Sequence, residues 1–338
     1  MPIFTFFPTH EEHPSWIKNW TWMTCSGPHV GEFLHRLSTV HVKNLALGHG
    51  SPGCFLNAQA KILFYFTLWY LDPQTYALEW APGQSDSRRE DFFSFIDQNT
   101  FIENISFQEH SVEKTVWIFL DPSEQTEETK QKPGQLESLL PYETRFLVEY
   151  DIRICHHGAR NYGRPWMTLW GRADKIDLWI RQNQSILTAL SWVQLEEWRI
   201  FELCPGIDTE MTKEFTPLDL GLEEAIALQK GCYPGQEVIQ RIYSQGSPAY
   251  RLILIQSDDF LPQRGGMIWS VDSIPVELGT VTSCSPQVQR VDTRTIFYTL
   301  GVIRKTHAIE GQWVQFMLKT HCRGKIIKVS AFRSLQRG

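Results

Sequence analysis

Between Lys61 and Trp80 the chain reads KILFYFTLWY, LDPQT, YALEW, two apolar and aromatic runs around a polar pentapeptide. That pattern predicts a β-hairpin with a five-residue connection, placed in the centre of a sheet. In REDFFSFIDQNT, Phe92, Phe93, Phe95 and Ile96 fall at helical spacing, and SVEKTVWIFLD returns to strand character. RFLVEYDIRIC and KIDLWI read as strands, whereas SILTALSWVQLEEWRIF, with Leu187 and Leu190 leading its apolar positions, reads as a helix. From about residue 245 the segments YRLILIQ, GGMIWSVD, PVELGTVTSCS, IFYTLGVIR and QWVQFM are short, apolar and separated by Gly, Ser, Pro and Asp. They predict a small antiparallel barrel. The expected fold class is therefore α+β and multidomain: an α+β region over 1–244 made of two intertwined subdomains, then a C-terminal antiparallel β-barrel over 245–338. Residues 121–138, DPSEQTEETKQKPGQLES, carry almost no apolar side chains and read as an exposed loop.

Composition narrows the class. At 338 residues the chain exceeds the usual reach of a single core, and 13 Trp with 20 Phe give it an aromatic interior. Lys and Arg number 32 against 38 Asp and Glu, a formal charge of -6 that provides no electrostatic reason for general binding to nucleic acid or acidic membrane. The start, MPIFTFFPTHEEHPSW, has the pattern of neither a signal nor a transit peptide, and the longest apolar run, Ile62 to Leu71, falls short of a membrane span. Seven cysteines, odd in number, scattered and without CxxC, argue against a disulfide framework or structural zinc and fit a reducing compartment. A cytoplasmic monomer is the expectation.

Chemistry concentrates in QKGCYPGQEVIQR, residues 229–241, which places a lysine, a thiol and a phenol within four residues and fences them with Gly231, Pro234 and Gly235. No helical or strand periodicity accounts for Gly-Cys-Tyr-Pro-Gly. A thiolate is the reactive form of cysteine, and a nearby cation such as Lys230, or backbone N–H groups around Cys232, lowers a thiol pKa. The glycines allow close approach to the main chain, and Pro234 suits the first turn of a helix whose free N–H groups can meet an anion or a carbonyl. Glu237 and Arg241, four apart, can pair on one helical face. Against this stands the use of an isolated cysteine as a small buried hydrophobe.

KGCYPGQE resembles the K-G-C-Y-x-G-Q-E signature of the YgfZ-like folate-binding proteins, in the GcvT-like aminomethyltransferase superfamily. Lys230, Gly231, Cys232, Tyr233, Gly235, Gln236 and Glu237 match, followed by Arg241. WRIFELCPGIDTEMTKEFTPLDLGLEEAIALQ resembles the segment that precedes the signature in that family, and FLHRLSTVHVKNL, FLNAQAKIL, LGTVTS and LGVIRK are weaker matches. The resemblance implies a GcvT/YgfZ-like fold, a tetrahydrofolate species as cofactor, and support of the assembly or repair of iron–sulfur enzymes, with those enzymes or cluster-assembly proteins as partners. It implies Lys230 and Cys232 as the chemical centre, with Gly231, Tyr233, Gly235, Gln236, Glu237 and Arg241 shaping the site and Asn57, Trp198 and Arg199 contacting folate. The sequence departs from the family at His41, in place of Asp, at Ala60 and Lys61, in place of Gly and Arg, and at Phe201, where many relatives carry Glu. Phe64 and Tyr65 stand where the related aminomethyltransferases have an acidic pair, and neither ring can position an amine as a carboxylate does. Aminomethyl transfer is therefore not expected. The alternatives are a folate-dependent aminomethyltransferase or demethylase of the same fold, and a non-catalytic interaction module.

No metal site is expected. Cys155, His156 and His157 are ligand types, but neighbours on a strand point to opposite faces. HEEH at 10–13 lacks HExxH spacing.

Overall fold

The structure, a computed structural model, describes residues 3–6, 22–80, 86–110, 113–120, 139–157, 165–185, 187–207, 209–244, 246–286, 289–291, 293–316 and 322–332. The loop expected at 121–138 and the HEEH stretch lie outside the described residues. The chain divides into two compact units, residues 1–53 with 65–192 and residues 54–64 with 193–338.

β2 (Trp22–Ser26), β3 (Gly50–Leu56), β4 (Ile62–Asp72), β5 (Thr75–Trp80) and β6 (Ser106–Glu109) form a five-stranded sheet in the order β3-β4-β5-β2-β6. The β4–β5 hairpin thus occupies interior positions. Its connection is shorter than the sequence predicts, because Leu71 and Asp72 continue β4 through a register shift and pair Asp72 with Thr75. Gln74 completes the turn at φ 68°.

The second sheet runs β11-β1-β7-β10-β9-β8, built from β1 (Ile3–Phe6), β7 (Glu113–Leu120), β8 (Thr144–Leu147), β9 (Ile152–His156), β10 (Trp166–Arg172) and β11 (Leu187–Ala189). Two expectations are corrected here. KIDLWI lies in a helix, α3 (Ala173–Gln182), because Ile176 and Trp179, three apart, are buried while Leu178 is exposed. Leu187 belongs not to a helix but to β11, which pairs in parallel with β1; the helix that follows starts only at Trp192. Between the sheets Trp22, Trp69, Ala77 and Cys155 form one buried cluster, with Trp22 stacked on Trp170 at 4.7 Å. Rings of this size supply much of the apolar burial that holds sheet on sheet. The remaining helices of the first unit are α1 (Val30–Leu37) and α2 (Asp86–Asn99), the latter carrying the Phe92–Ile96 pattern.

The second unit begins with α4 (Trp192–Phe201), starting at the boundary, and α5 (Gln236–Ser244). Its strands are β12 (Tyr250–Asp258), β13 (Met267–Ser270), β14 (Glu277–Cys284), β15 (Gln289–Val291), β16 (Arg294–Arg304), β17 (Trp313–Gln315) and β18 (Arg323–Val329). The order β12-β18-β17-β13-β14-β16 closes on itself, since β16 pairs back to β12 from Tyr250↔Arg304 to Asp258↔Ile296, and β15 is appended to β16. This is a six-stranded barrel filled by Ile253, Ile255, Ile268, Val281, Ile303, Val314 and Ile326. Closure leaves these strands without free edges. The barrel strands start at Tyr250, and residues 193–244 pack in the same unit as the barrel.

Candidate functional site

Three pieces of the second unit surround the signature. The first is the turn between β3 and β4. Asn57 Oδ1 accepts hydrogen bonds from the N–H groups of Gln59 at 3.0 Å and Lys61 at 2.9 Å, and the Asn57 carbonyl accepts from Ala60 N at 2.9 Å. Ala60 is fully buried at φ 59°, a left-handed conformation that a side chain makes costly. The second piece is PLDLG. Asp219 Oδ2 accepts from Thr216 N and Oγ1 at 2.9 and 2.7 Å, Thr216 Oγ1 accepts from Asp219 N at 3.2 Å, and Asp219 Oδ1 accepts from Tyr250 N at 3.1 Å. This capping box ties the segment before the signature to the first barrel strand.

The third piece is the signature itself. Gly235 lies at φ 80°, and a Cβ placed there would sit 2.7 Å from both Ala60 Cα and Asn57 O. Glycine is required on both counts, conformation and space. Gly235 packs the loop directly on the Asn57–Ala60 turn, and its carbonyl accepts from Ile239 N at 3.1 Å to open α5. The helix starts at Gln236, so Pro234 stands just outside the first turn where the sequence predicts it inside. The Gln236 side chain donates to Lys230 O at 3.3 Å, bracing the loop.

Within the loop the three chemical groups are treated differently. Lys230 is buried with its Nζ 5.0 Å from the centre of the Tyr233 ring. Burial disfavours the ammonium and lowers its pKa from 10.5 to about 8, against the attraction of the ring face. Tyr233 is buried too; burial, with Tyr243 and Cys54 nearby, pushes its phenol up, and its hydroxyl has no hydrogen-bond partner among the described residues. Cys232 and Gly231 are exposed. Cys25, Cys54, Cys155, Cys204 and Cys322 are buried and Cys284 is partly so, which leaves Cys232 as the exposed thiol. Glu237 and Arg241 are also exposed, with no ion pair between them among the described residues.

Arg199 and Trp198 lie on α4. Trp198 is half-buried. Arg199 is buried and committed within the protein. It donates to Glu196 through Nε and Nη2, to Cys204 O and Glu210 Oε2 through Nη1 at 2.9 and 3.1 Å, and to Ser283 Oγ through Nη2 at 2.9 Å. Glu210, wholly buried, accepts further from Gly206 N, Thr209 Oγ1 and Ser283 Oγ at 2.7, 2.5 and 2.7 Å. Burial alone would raise its carboxyl, but Arg199 and the hydroxyls around it together hold the pKa below the usual value. Phe201, where many relatives have Glu, packs against Tyr298 at 4.5 Å, and its carbonyl accepts from Lys328 Nζ at 2.7 Å. Sequence reasoning missed Glu210 and Ser283, since nothing local marks a carboxylate whose partners lie 11 and 73 residues away.

In the first unit, Cys155 meets Thr144 Oγ1 at 3.1 Å, while His157 Nε2 lies 3.0 Å from Thr168 Oγ1 and 3.1 Å from Glu79 Oε2. Thiol and imidazole are engaged separately. Among the described residues no group of three His, Cys, Asp or Glu side chains is placed to hold a metal ion, and no helix is long and apolar enough to cross a membrane.

Comparison with known proteins follows the same lines. No protein-family model matches the chain. A chloroplastic protein of Arabidopsis thaliana whose transferase name is provisional is 23% identical over 232 residues, 67% of this chain and 52% of that protein. The tRNA-modifying proteins YgfZ from two subspecies of Buchnera aphidicola, those of Schizaphis graminum and Acyrthosiphon pisum, are 29% and 33% identical over 96 and 108 residues. These matches span 27% and 31% of this chain and 30% and 33% of the relatives, so the chain covers about half or less of each curated relative. The crystal structure of the glycine cleavage system aminomethyltransferase T from Bartonella henselae superposes with a TM-score of 0.73 at 17% identity, covering 96% of this chain and 85% of that one, which shows the fold. The chain thus has the α+β fold of that aminomethyltransferase structure, with a C-terminal β-barrel, and is similar in sequence to the YgfZ proteins over about a third of their length.

Proposed function

We propose that this chain is a tetrahydrofolate-binding, YgfZ-like protein that supports assembly or repair of iron–sulfur enzymes, with Lys230 and Cys232 as its chemical centre. The observation that carries the reading is the contrast inside one braced loop: a buried amine on an aromatic face two residues from an exposed thiol. The residues suit a folate. The buried Tyr233 hydroxyl lacks a partner among the described residues, half-buried Trp198 can stack a pterin, and Lys230 supplies positive character. Asn57 and Arg199 support the pocket more through the turn and the buried network they hold than through direct contact. When bound, the folate would supply one-carbon chemistry. The protein's part is to orient the ligand and present amine and thiol.

Aminomethyl transfer is disfavoured in this reading, because Phe64 and Tyr65 are buried aromatic side chains at the places of the acidic pair. A second reading, action near tRNA modification, draws on the name of the Buchnera relatives. A cytoplasmic location follows from the reduced thiols of the sequence and is checked by fractionation.

The deciding experiment pairs calorimetry with complementation. Tetrahydrofolate is expected to bind with submillimolar affinity and raise Tm. Cys232→Ser is expected to keep the unfolding free energy within about 0.5 kcal/mol of the parent and abolish rescue of iron–sulfur enzyme activity in a deletion strain. Absence of binding at millimolar folate sinks the reading; altered tRNA modification with intact iron–sulfur enzymes promotes the second.

A further inference from the structure

The amine of Lys230 is withdrawn from water, yet the residues after it open to solvent. Its side chain is 9% exposed and lies on the face of Tyr233. Gly231 and Cys232 are exposed, so the loop faces solvent directly beside Lys230, while Gly235 against the Asn57–Ala60 turn and Gln236 on the Lys230 carbonyl hold the main chain in place. A second observation points to a ligand. The Tyr233 hydroxyl is buried without a hydrogen-bond partner among the described residues, which costs about 1–3 kcal/mol unless an incoming polar atom relieves it.

We infer that Lys230 is an imine-forming nucleophile and that this site takes a small aldehyde as substrate. The inference rests on the reading of Lys230 as part of the chemical centre, and it is independent of whether folate binds.

The chemistry needs a neutral amine. With its pKa lowered from 10.5 to about 8, about one Lys230 side chain in ten is unprotonated at pH 7, against about one in 3,000 for an ordinary lysine. A buried lysine whose charge is disfavoured is the usual source of a Schiff-base amine. In the step itself the Nζ lone pair attacks the carbonyl carbon, a C–N bond forms and the C=O π pair moves to oxygen. The nitrogen proton passes to that oxygen, and loss of one water leaves the C=N bond. Nothing is oxidised or reduced, and hydrolysis reverses the sequence. A small aldehyde suits an amine this buried, since with Lys230 only 9% exposed a compact carbonyl compound needs less room beside the Tyr233 ring than a bulky one.

The test uses the full chain, deuterated formaldehyde below stoichiometry and cyanoborohydride as the trap, with labelled lysines located by peptide mass spectrometry. At pH 7.5 Lys230 is expected to take label about tenfold faster than exposed Lys325. The rate should rise through a midpoint near pH 8 in the unmutated protein. Lys230→Arg should remove the label. Labelling of Lys230 no faster than Lys325, or a midpoint in the ordinary lysine range, overturns the inference. Folate calorimetry on the same preparation separates the two proposals: labelling without folate binding sinks only the folate reading, and folate binding without preferential labelling sinks only this one.

Discussion

Arg199 and Lys230 are both long basic side chains of the second unit, 6% and 9% exposed, and the protein handles their charges in opposite ways. Arg199 meets the carboxylates of Glu196 and Glu210, the Ser283 hydroxyl and a carbonyl, and keeps its proton as arginine always does. Lys230 lies on a phenol ring, and burial drives its proton affinity down. The first arrangement makes a buried charge part of the scaffold. In the second, burial disfavours the charge, which lysine, unlike arginine, can give up when solvent is withheld.

The harshest test of this contrast is Arg199→Met. It strands the Glu210 carboxylate, so unfolding in denaturant should show a loss of about 3–5 kcal/mol. A loss under about 1 kcal/mol would break the comparison and return Arg199 to the pool of ligand contacts.

Lys230→Met should act in the other direction. The folded pKa, about 8, lies below the ordinary 10.5, so the folded state carries a penalty that is full below pH 8. Between the two values the unfolded chain binds more protons, and the penalty fades as pH rises. The variant should therefore be more stable than the parent at pH 7, by on the order of 1 kcal/mol after allowance for solvent screening, and this advantage should vanish toward pH 10.5. Melting curves across pH 6–10 decide; a destabilised variant with no pH trend would place Lys230 in the scaffold with Arg199.

The smallest effect concerns the turn that braces the loop. Ala60→Gly removes the left-handed strain at φ 59° but adds freedom to the unfolded chain, leaving a net gain of about 0.5 kcal/mol. A loss of more than about 1 kcal/mol would mean that the Ala60 methyl is a packing contact the turn depends on.

The barrel and the signature were legible in the sequence for different reasons. Barrel strands announce themselves as short apolar runs between turn residues, although β18, RGKIIKV, gave too few apolar positions to be noticed. KGCYPGQE stood out because it serves no period. KIDLWI misled because Ile176, Leu178 and Ile180 alternate, and alternation cannot reveal that Leu178 faces out. Asn57 was legible as special but not as the residue that folds a turn through its own side chain. The Arg199 network was not legible, because Ser283 lies 84 residues from the guanidinium it receives.

The path of the chain between its two units carries a consequence for biosynthesis. Eleven residues, Cys54–Phe64, pack with a unit whose other members start only at Val193. As the ribosome works from the N-terminus, this short loop emerges well before Gly235, the glycine that backs against it. A nascent chain halted near residue 192 would hold the Asn57–Ala60 turn without the Gly235 loop, and a gene cut at that point would yield one fragment with every residue of the first unit and another that lacks the eleven residues its own unit needs.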